Sequence, residues 1–186
     1  MGTMKFDSII VVDIESTCFE TKEEQGNQPM EIIEIGVCVL DIQTFEISRK
    51  KSYIVRPKFS KISEFCTELT GYRWDDVKIG MPFENACNKL AKEFGTRNRI
   101  WASWGDYDRS HFERECRSKK ARYPFSKSHI NASVLFTMMK GNKKKTSVGN
   151  ALSALGLVFE GTPHKGCDDA WNTAKILRHL LETGRE

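Results

Sequence analysis

Apolar residues run without a break from Ile9 to Val12, between Ser8 and Asp13. A short β-branched run of this kind predicts a strand covered on both faces. Residues 31–41 predict a longer second strand. Residues 47–55 predict a third, ended by Arg56-Pro57 because proline lacks the N–H that a ladder needs. The polar stretch 19–30 predicts a loop. From Pro82 onward the period changes. Phe83, Ala86, Cys87, Leu90, Ala91 and Phe94 recur at helical spacing, and Gly95 suits the stop. Residues 100–103 then predict a fourth strand and 107–118 a helix. Ile130 falls in a short fifth strand, with helices expected over 134–139, 147–155 and 168–182. Three strands followed by strand–helix units give the α/β class, a mixed sheet covered by helices. Residues 6–182 form one domain in this reading, and 1–5 form a leader.

Composition narrows the picture modestly. The chain has 186 residues, 39% hydrophobic and 29% charged, which is globular rather than disordered. It contains no apolar run near the roughly 20 residues of a membrane helix, so no membrane partner is expected. Met1-Gly2-Thr3-Met4 shows no secretory pattern. The net charge of +4 permits a polyanionic partner without requiring one. Six scattered cysteines show no zinc spacing and read as small apolar residues of a reducing, cytoplasmic protein.

The chemistry concentrates in acids at element ends. Asp13 and Glu15 lie two apart at the end of the first strand, so both face one side. There, unpaired charge against an apolar interior is costly, and a hard cation relieves it. After the fourth strand, Asp108 shares a helical stripe with Phe112 and Cys116, facing the sheet. Asp106 precedes that helix at a capping position. Before the last helix, Asp169 shares a face with Thr173, Ile176 and Leu180. Asp168, Asn172, Lys175 and His179 share a polar face, and Asp168 suits the helix N-terminus. His164 lies in the loop just ahead and is a candidate general base, because imidazole titrates near neutrality. His111 and His179 read as helix-surface residues and His129 as a loop residue. Four clustered carboxylates cannot all stay ionised unaided. Two Mg²⁺ or Mn²⁺ ions would balance them and could clamp the attacking and leaving oxygens of a phosphodiester.

The order of these residues, with the histidine five positions before the last acid, resembles the DEDDh 3′–5′ exonucleases of the ribonuclease H-like superfamily. The ERI-type exoribonucleases and their short bacterial relatives are the nearest pattern. The likeness runs through Asp13–Cys18, Glu31–Glu34, Tyr53–Pro57, Leu69–Tyr72, Trp104–Asp108 and Pro163–Asp169, and so covers nearly the whole chain. It implies a five-stranded mixed sheet, two divalent cations and release of 5′-mononucleotides from a free 3′ end of single-stranded RNA or short overhangs. It assigns Asp13, Glu15, Asp108 and Asp169 as metal ligands and His164 as base. Ser16, Thr17, Cys18, Leu69, Thr70, Gly71 and His164 would hold the terminal nucleotide. It implies no obligate protein partner. The same chemistry on DNA, and a non-catalytic RNA-binding module, are the alternatives. Most basic residues read as solvated surface; among them Lys143, Lys144 and Lys145 are the first choice for a substrate contact. Trp101, Trp104 and Trp171 read as core.

Overall fold

The computed structural model describes residues 3–184. The elements in chain order are β1 (Lys5–Ser16), α1 (Lys22–Gln25), β2 (Ile32–Asp41), β3 (Ile47–Ile54), α2 (Glu64–Thr70), α3 (Trp74–Val77) and α4 (Phe83–Phe94). A 3₁₀ turn (Thr96–Asn98) leads into β4 (Arg99–Ser103), α5 (Tyr107–Lys119), β5 (His129–Asn131), α6 (Ala132–Met139), α7 (Val148–Ala154) and α8 (Gly166–Thr183). The five strands make one mixed sheet in the order β3-β2-β1-β4-β5. The β1–β2 and β2–β3 pairs are antiparallel; β1–β4 and β4–β5 are parallel. The expected five-stranded mixed sheet is therefore present, with β1 at its centre.

Alternation along β1 divides the core. Ile10, Val12 and Ile14 pack with Phe83, Leu90 and Phe94 of α4 and Phe112 of α5. Ile9 and Val11 pack on the other face with Cys38 and Leu40 of β2 and Ala170, Ala174 and Leu177 of α8. Burying each such aliphatic or aromatic side chain contributes roughly 1.5–3 kcal/mol. Asp13 and Glu15 continue the odd-numbered series, so they emerge on the α8 side at the carboxyl end of the strand. That end, where antiparallel β2 and parallel β4 flank β1, is where open α/β sheets tend to place ligand sites.

The structure departs from the sequence reading in several places. The stretch 19–30 carries the short helix α1, and the segment after β3 carries α2 and α3, which the apolar pattern does not announce. Helix α2 buries only Cys66 and Thr70, too few positions to display a period. Its signals are local instead: the Ser63 hydroxyl accepts the Cys66 N–H, and Gly71 takes a left-handed φ of 71° after its last turn. His129 opens β5 rather than lying in a loop. His111 is fully buried, because its ring bonds the Tyr107 hydroxyl and the Met30 carbonyl. Asn172 and Lys175 are buried too, not solvated. Lys5, assigned to the leader, begins β1, while Met1 and Gly2 of that segment lie outside the described residues. Trp101 is buried core as expected.

Candidate active site

Three acids from two elements converge. One carboxylate oxygen from each of Asp13, Glu15 and Asp169 lies within 4.8 Å of the others. The convergence depends on seating the first turn of α8 directly on the sheet. Gly36 of β2 pairs with Asp13, and a Cβ on it would stand 1.9 Å from the Gly166 carbonyl carbon. A Cβ on Gly166 would meet the Asp13 carbonyl oxygen and the Gly36 nitrogen at 3.1 Å. Only two glycines allow this approach. Buried Glu34, opposite Glu15 in the β1–β2 register, completes the seat. It accepts the Gly166 N–H at 2.8 Å and the Ser52 hydroxyl at 2.6 Å. Asp169 then lies one turn beyond Gly166, over the end of β1.

The loop that carries His164 is bound to α8 by side chains of that helix's polar face. Asn172 accepts the Glu160 N–H and donates to the Glu160 carbonyl. The Lys175 ammonium bonds the Val158 carbonyl and Glu160. Asp168 accepts the Thr162 N–H and pairs with Lys50. Its carboxylate makes no cap and is tied to the loop instead. His164 itself is exposed, takes a left-handed φ of 61°, and donates its backbone N–H to Asp169 at 2.8 Å. His164 lines a cavity of 440 Å³ together with Asp13, Glu15, Asp169, Trp104 and Phe159.

Asp108 stands slightly apart. It is buried, and its Oδ1 accepts the Ile14 N–H at 3.0 Å, so one oxygen is engaged by the strand that carries Asp13 and Glu15. The Asp106 side chain makes no cap and accepts from Asn131. Of the other predicted contacts, the Ser16 hydroxyl meets the Tyr107 hydroxyl at 3.0 Å. Thr17 is buried, with its hydroxyl accepting the Glu31 N–H. Cys18 is half-buried, and its carbonyl accepts from Ser63. Leu69 is 40% exposed at the end of α2. The Thr70 hydroxyl is buried on the Cys66 carbonyl, so of this residue only the backbone can face a ligand. Gly71 lies under the Lys165 ammonium, which also sits 3.6 Å above the Tyr72 ring. The residues missed by sequence reasoning are Glu34, Tyr107 and Phe159. Glu34 alone left a signal, an acid in the second strand that pairs with Glu15 once register is known.

The electrostatics are those of acids held together without cations. Among the described residues no lysine or arginine pairs with Asp13, Glu15 or Asp169. Burial, then repulsion from Asp169, Glu34 and Asp108, pushes Glu15 up to about 8. Burial raises Asp13 well above the carboxylate range, and Asp108, Asp169, Glu15 and Glu34 add to it. Asp108 and Asp169 are each raised to about 6, burial leading in both; the N–H groups of Asp108 itself and of Ile14 hold the first back, and the His164 N–H the second. A hard, oxygen-only donor set with a raised proton affinity fits a hard divalent cation.

Comparison with known proteins agrees with this geometry. Residues 10–177 match the family described as Exonuclease. The chain is 33% identical to human 3′-5′ exoribonuclease 1 over 194 residues, covering 97% of this chain and 54% of that protein. It thus spans about half the length of the curated relatives it matches first. It is 27% identical to the probable 3′-5′ exonuclease KapD of Bacillus subtilis, covering 98% of this chain and 88% of that one. Among solved structures it resembles the nuclease domain of 3′hExo, a DEDDh family member bound to rAMP. The TM-score there is 0.84 at 31% identity, over 98% of this chain and 96% of that one. The acid order, the sheet and these matches place the chain in the Exonuclease family, among its DEDDh members and beside the ERI-type exoribonucleases.

Proposed function

We propose that this chain is a divalent-cation-dependent 3′–5′ exonuclease that removes 5′-mononucleotides from single-stranded RNA or short 3′ overhangs. One domain, residues 6–182, carries the activity. The observation that carries the reading is the meeting of Asp13, Glu15 and Asp169 within 4.8 Å in one cavity with His164. RNA is favoured over DNA by the relatives named exoribonucleases. Six free thiols suit the cytoplasm, and no described helix is long and apolar enough to cross a membrane.

Asp13, Glu15 and Asp169, with the Asp108 carboxylate, would hold two Mg²⁺ or Mn²⁺ ions. Such a pair supplies Lewis-acid stabilisation of charge on the phosphoryl oxygens. The His164 ring takes the proton from the attacking water. The water oxygen bonds to phosphorus, the bond to the preceding 3′ oxygen breaks, and that oxygen leaves to be protonated by solvent. The His164 N–H to Asp169 bond fixes the base relative to the acids, which is what general-base geometry requires. Exposed Leu69 and the backbone at 70–71 offer an apolar surface for the terminal base, and the strip Ser16–Cys18 offers polar contacts for its sugar.

The test is a time course on matched 5′-labelled RNA and DNA oligonucleotides with Mg²⁺, Mn²⁺ or EDTA, with Asp13→Ala as control. The expected result is a ladder shortening from the 3′ end, faster on RNA, absent in EDTA and in the variant. An intact substrate in the presence of metal, or equal activity in Asp13→Ala, would remove the reading.

A further inference from the structure

The acid site poses a physical problem for a polyanionic substrate. Five carboxylates, counting Glu34, crowd one end of the sheet, and the two cations proposed there would do no more than balance four of them, so net attraction for nucleic acid needs a source elsewhere. A cavity of 540 Å³ on the α4–α5 side of the sheet, larger than the acid cavity, holds the other sign of charge. Arg56, Lys58 and Lys120 line it, all exposed and none paired with a carboxylate. Neighbouring Lys119 is different, because Glu31 and Glu115 each bind its ammonium at 2.7 Å. Glu84 at the rim is the only acid in the lining.

The cavity is also built rather than incidental. The Glu31 carboxylate, 1% exposed, accepts the backbone N–H groups of Lys58, Phe59 and Ser60 and so fixes the loop that carries the cations. Pro57 and Pro82 stiffen its walls. Lys120 is held in a left-handed turn, φ 53°, directly after α5. Phe59 is 59% exposed, with the Lys58 ammonium 5.1 Å from its ring. Cations flanking a presented aromatic ring suit a strand of unpaired nucleotides: phosphates meet the cations and a base stacks on the ring. A protein partner would give no reason for that alternation. The same Glu31 connects the cavity to the acid site. Its carbonyl accepts the Thr17 N–H at 2.8 Å, and its N–H is bound by the Thr17 hydroxyl at 2.9 Å, two residues past Glu15.

We propose that the cleft of Arg56, Lys58, Phe59 and Lys120 is a second nucleic-acid subsite, holding the backbone and one unpaired base of the RNA strand upstream of its 3′ end. The inference rests on the exonuclease reading for its biological sense, but its binding test does not. The full chain would be compared with the Arg56→Ala/Lys58→Ala/Lys120→Ala variant. Anisotropy of labelled single-stranded RNA in EDTA, over a range of KCl, reads the affinity. A control variant, Lys5→Ala/Lys78→Ala/Lys92→Ala, removes the same charge elsewhere. Three lost phosphate contacts should make the slope of log K against log[salt] shallower by about 2, and weaken low-salt binding on the order of 10- to 100-fold. Phe59→Ala should weaken it by about 10-fold. Turnover of a dinucleotide, whose one internal phosphate is the scissile one, should be unchanged, while KM for a long RNA rises. A slope and affinity equal to wild type, or a loss no larger than the control's, would overturn the proposal and leave the cleft to a protein partner. If the triple variant does not fold, Lys58→Glu reads the same slope with one residue changed. If wild type hydrolyses neither substrate, the exonuclease reading falls, and the salt slope still decides the subsite.

Discussion

Helices α5 and α8 each deliver one first-turn acid to the end of β1, yet the two carboxylates end in different surroundings. Asp108 is buried and gives an oxygen to the Ile14 N–H, so it binds its helix to the strand. Asp169 accepts from His164, which lies in its own approach loop, and faces Asp13 and Glu15 within 4.8 Å. One acid is partly framework; the other is mostly an unsatisfied donor set. The supports differ in the same way. The start of α5 rests on a chain from Ser16 through the Tyr107 hydroxyl to buried His111. The start of α8 rests on backbone touching backbone at Gly36 and Gly166, with Glu34 beneath. Residue type and position alone do not separate these roles; the second partner of each carboxylate does.

Asparagine should affect both alike, and alanine separates them most sharply. Asp169→Asn and Asp108→Asn should each lower turnover on the order of 10³-fold, since each removes a charge from the proposed cation site. Asp108→Ala should also destabilise the fold by about 1–3 kcal/mol, because it leaves the buried Ile14 N–H without an acceptor. Asp169→Ala should leave the metal-free melting temperature unchanged or raised, because it removes repulsion from Asp13 and Glu15. Thermal melts in EDTA check both; equal destabilisation by the two alanines would erase the distinction.

His164→Ala is expected to lower turnover by about 10²–10⁴-fold while cation affinity, read by calorimetric titration, stays the same. A parallel loss of affinity would make His164 part of the cation site rather than the base. Lys175→Met should have a smaller effect. It frees the Val158 carbonyl and Glu160 from the α8 strap and lets the His164 loop move. Supporting residues of this kind typically change activity by about 10–100-fold. Unchanged turnover with unchanged stability would mean that the loop keeps its place without the strap.

The sequence makes these contrasts partly legible. The alternation of Ile9 through Glu15 suffices to put both acids on one face, and the helical stripes single out Asp108 and Asp169 over their neighbours. It could not show Asn172 and Lys175 as buried straps, because a polar stripe on a helix looks the same whether it faces water or a polar loop. It could not reveal Glu34, whose role depends on strand register and on the two glycines that admit α8. His111 failed for the same reason: its partners, Tyr107 and the Met30 carbonyl, include one 81 residues away. Helices α2 and α3 escaped because 7 and 4 residues bury too little to show a period.

The pH dependence of stability puts the acid cluster to the gentlest test. Glu15 moves from 4.5 to about 8, and Asp108 and Asp169 from 3.8 to about 6. Between the unfolded and folded values the folded protein binds more protons than the unfolded chain. Stability therefore falls as pH rises through this window, from about 4 to about 8, the reverse of a salt-bridged carboxylate. In EDTA the melting temperature should be lower at pH 8 than at pH 5 by roughly 5 °C. Mg²⁺ or Mn²⁺ should restore it, and restore more at pH 8, because cations bind the deprotonated carboxylates. Asp13→Asn should flatten the slope, since Asp13 sits among Glu15, Asp108 and Asp169 and is repelled by all three. A metal-free melting temperature that rises from pH 5 to pH 8 would mean that the acids are compensated within the protein itself, and the case for cations at this cluster would lose its electrostatic basis.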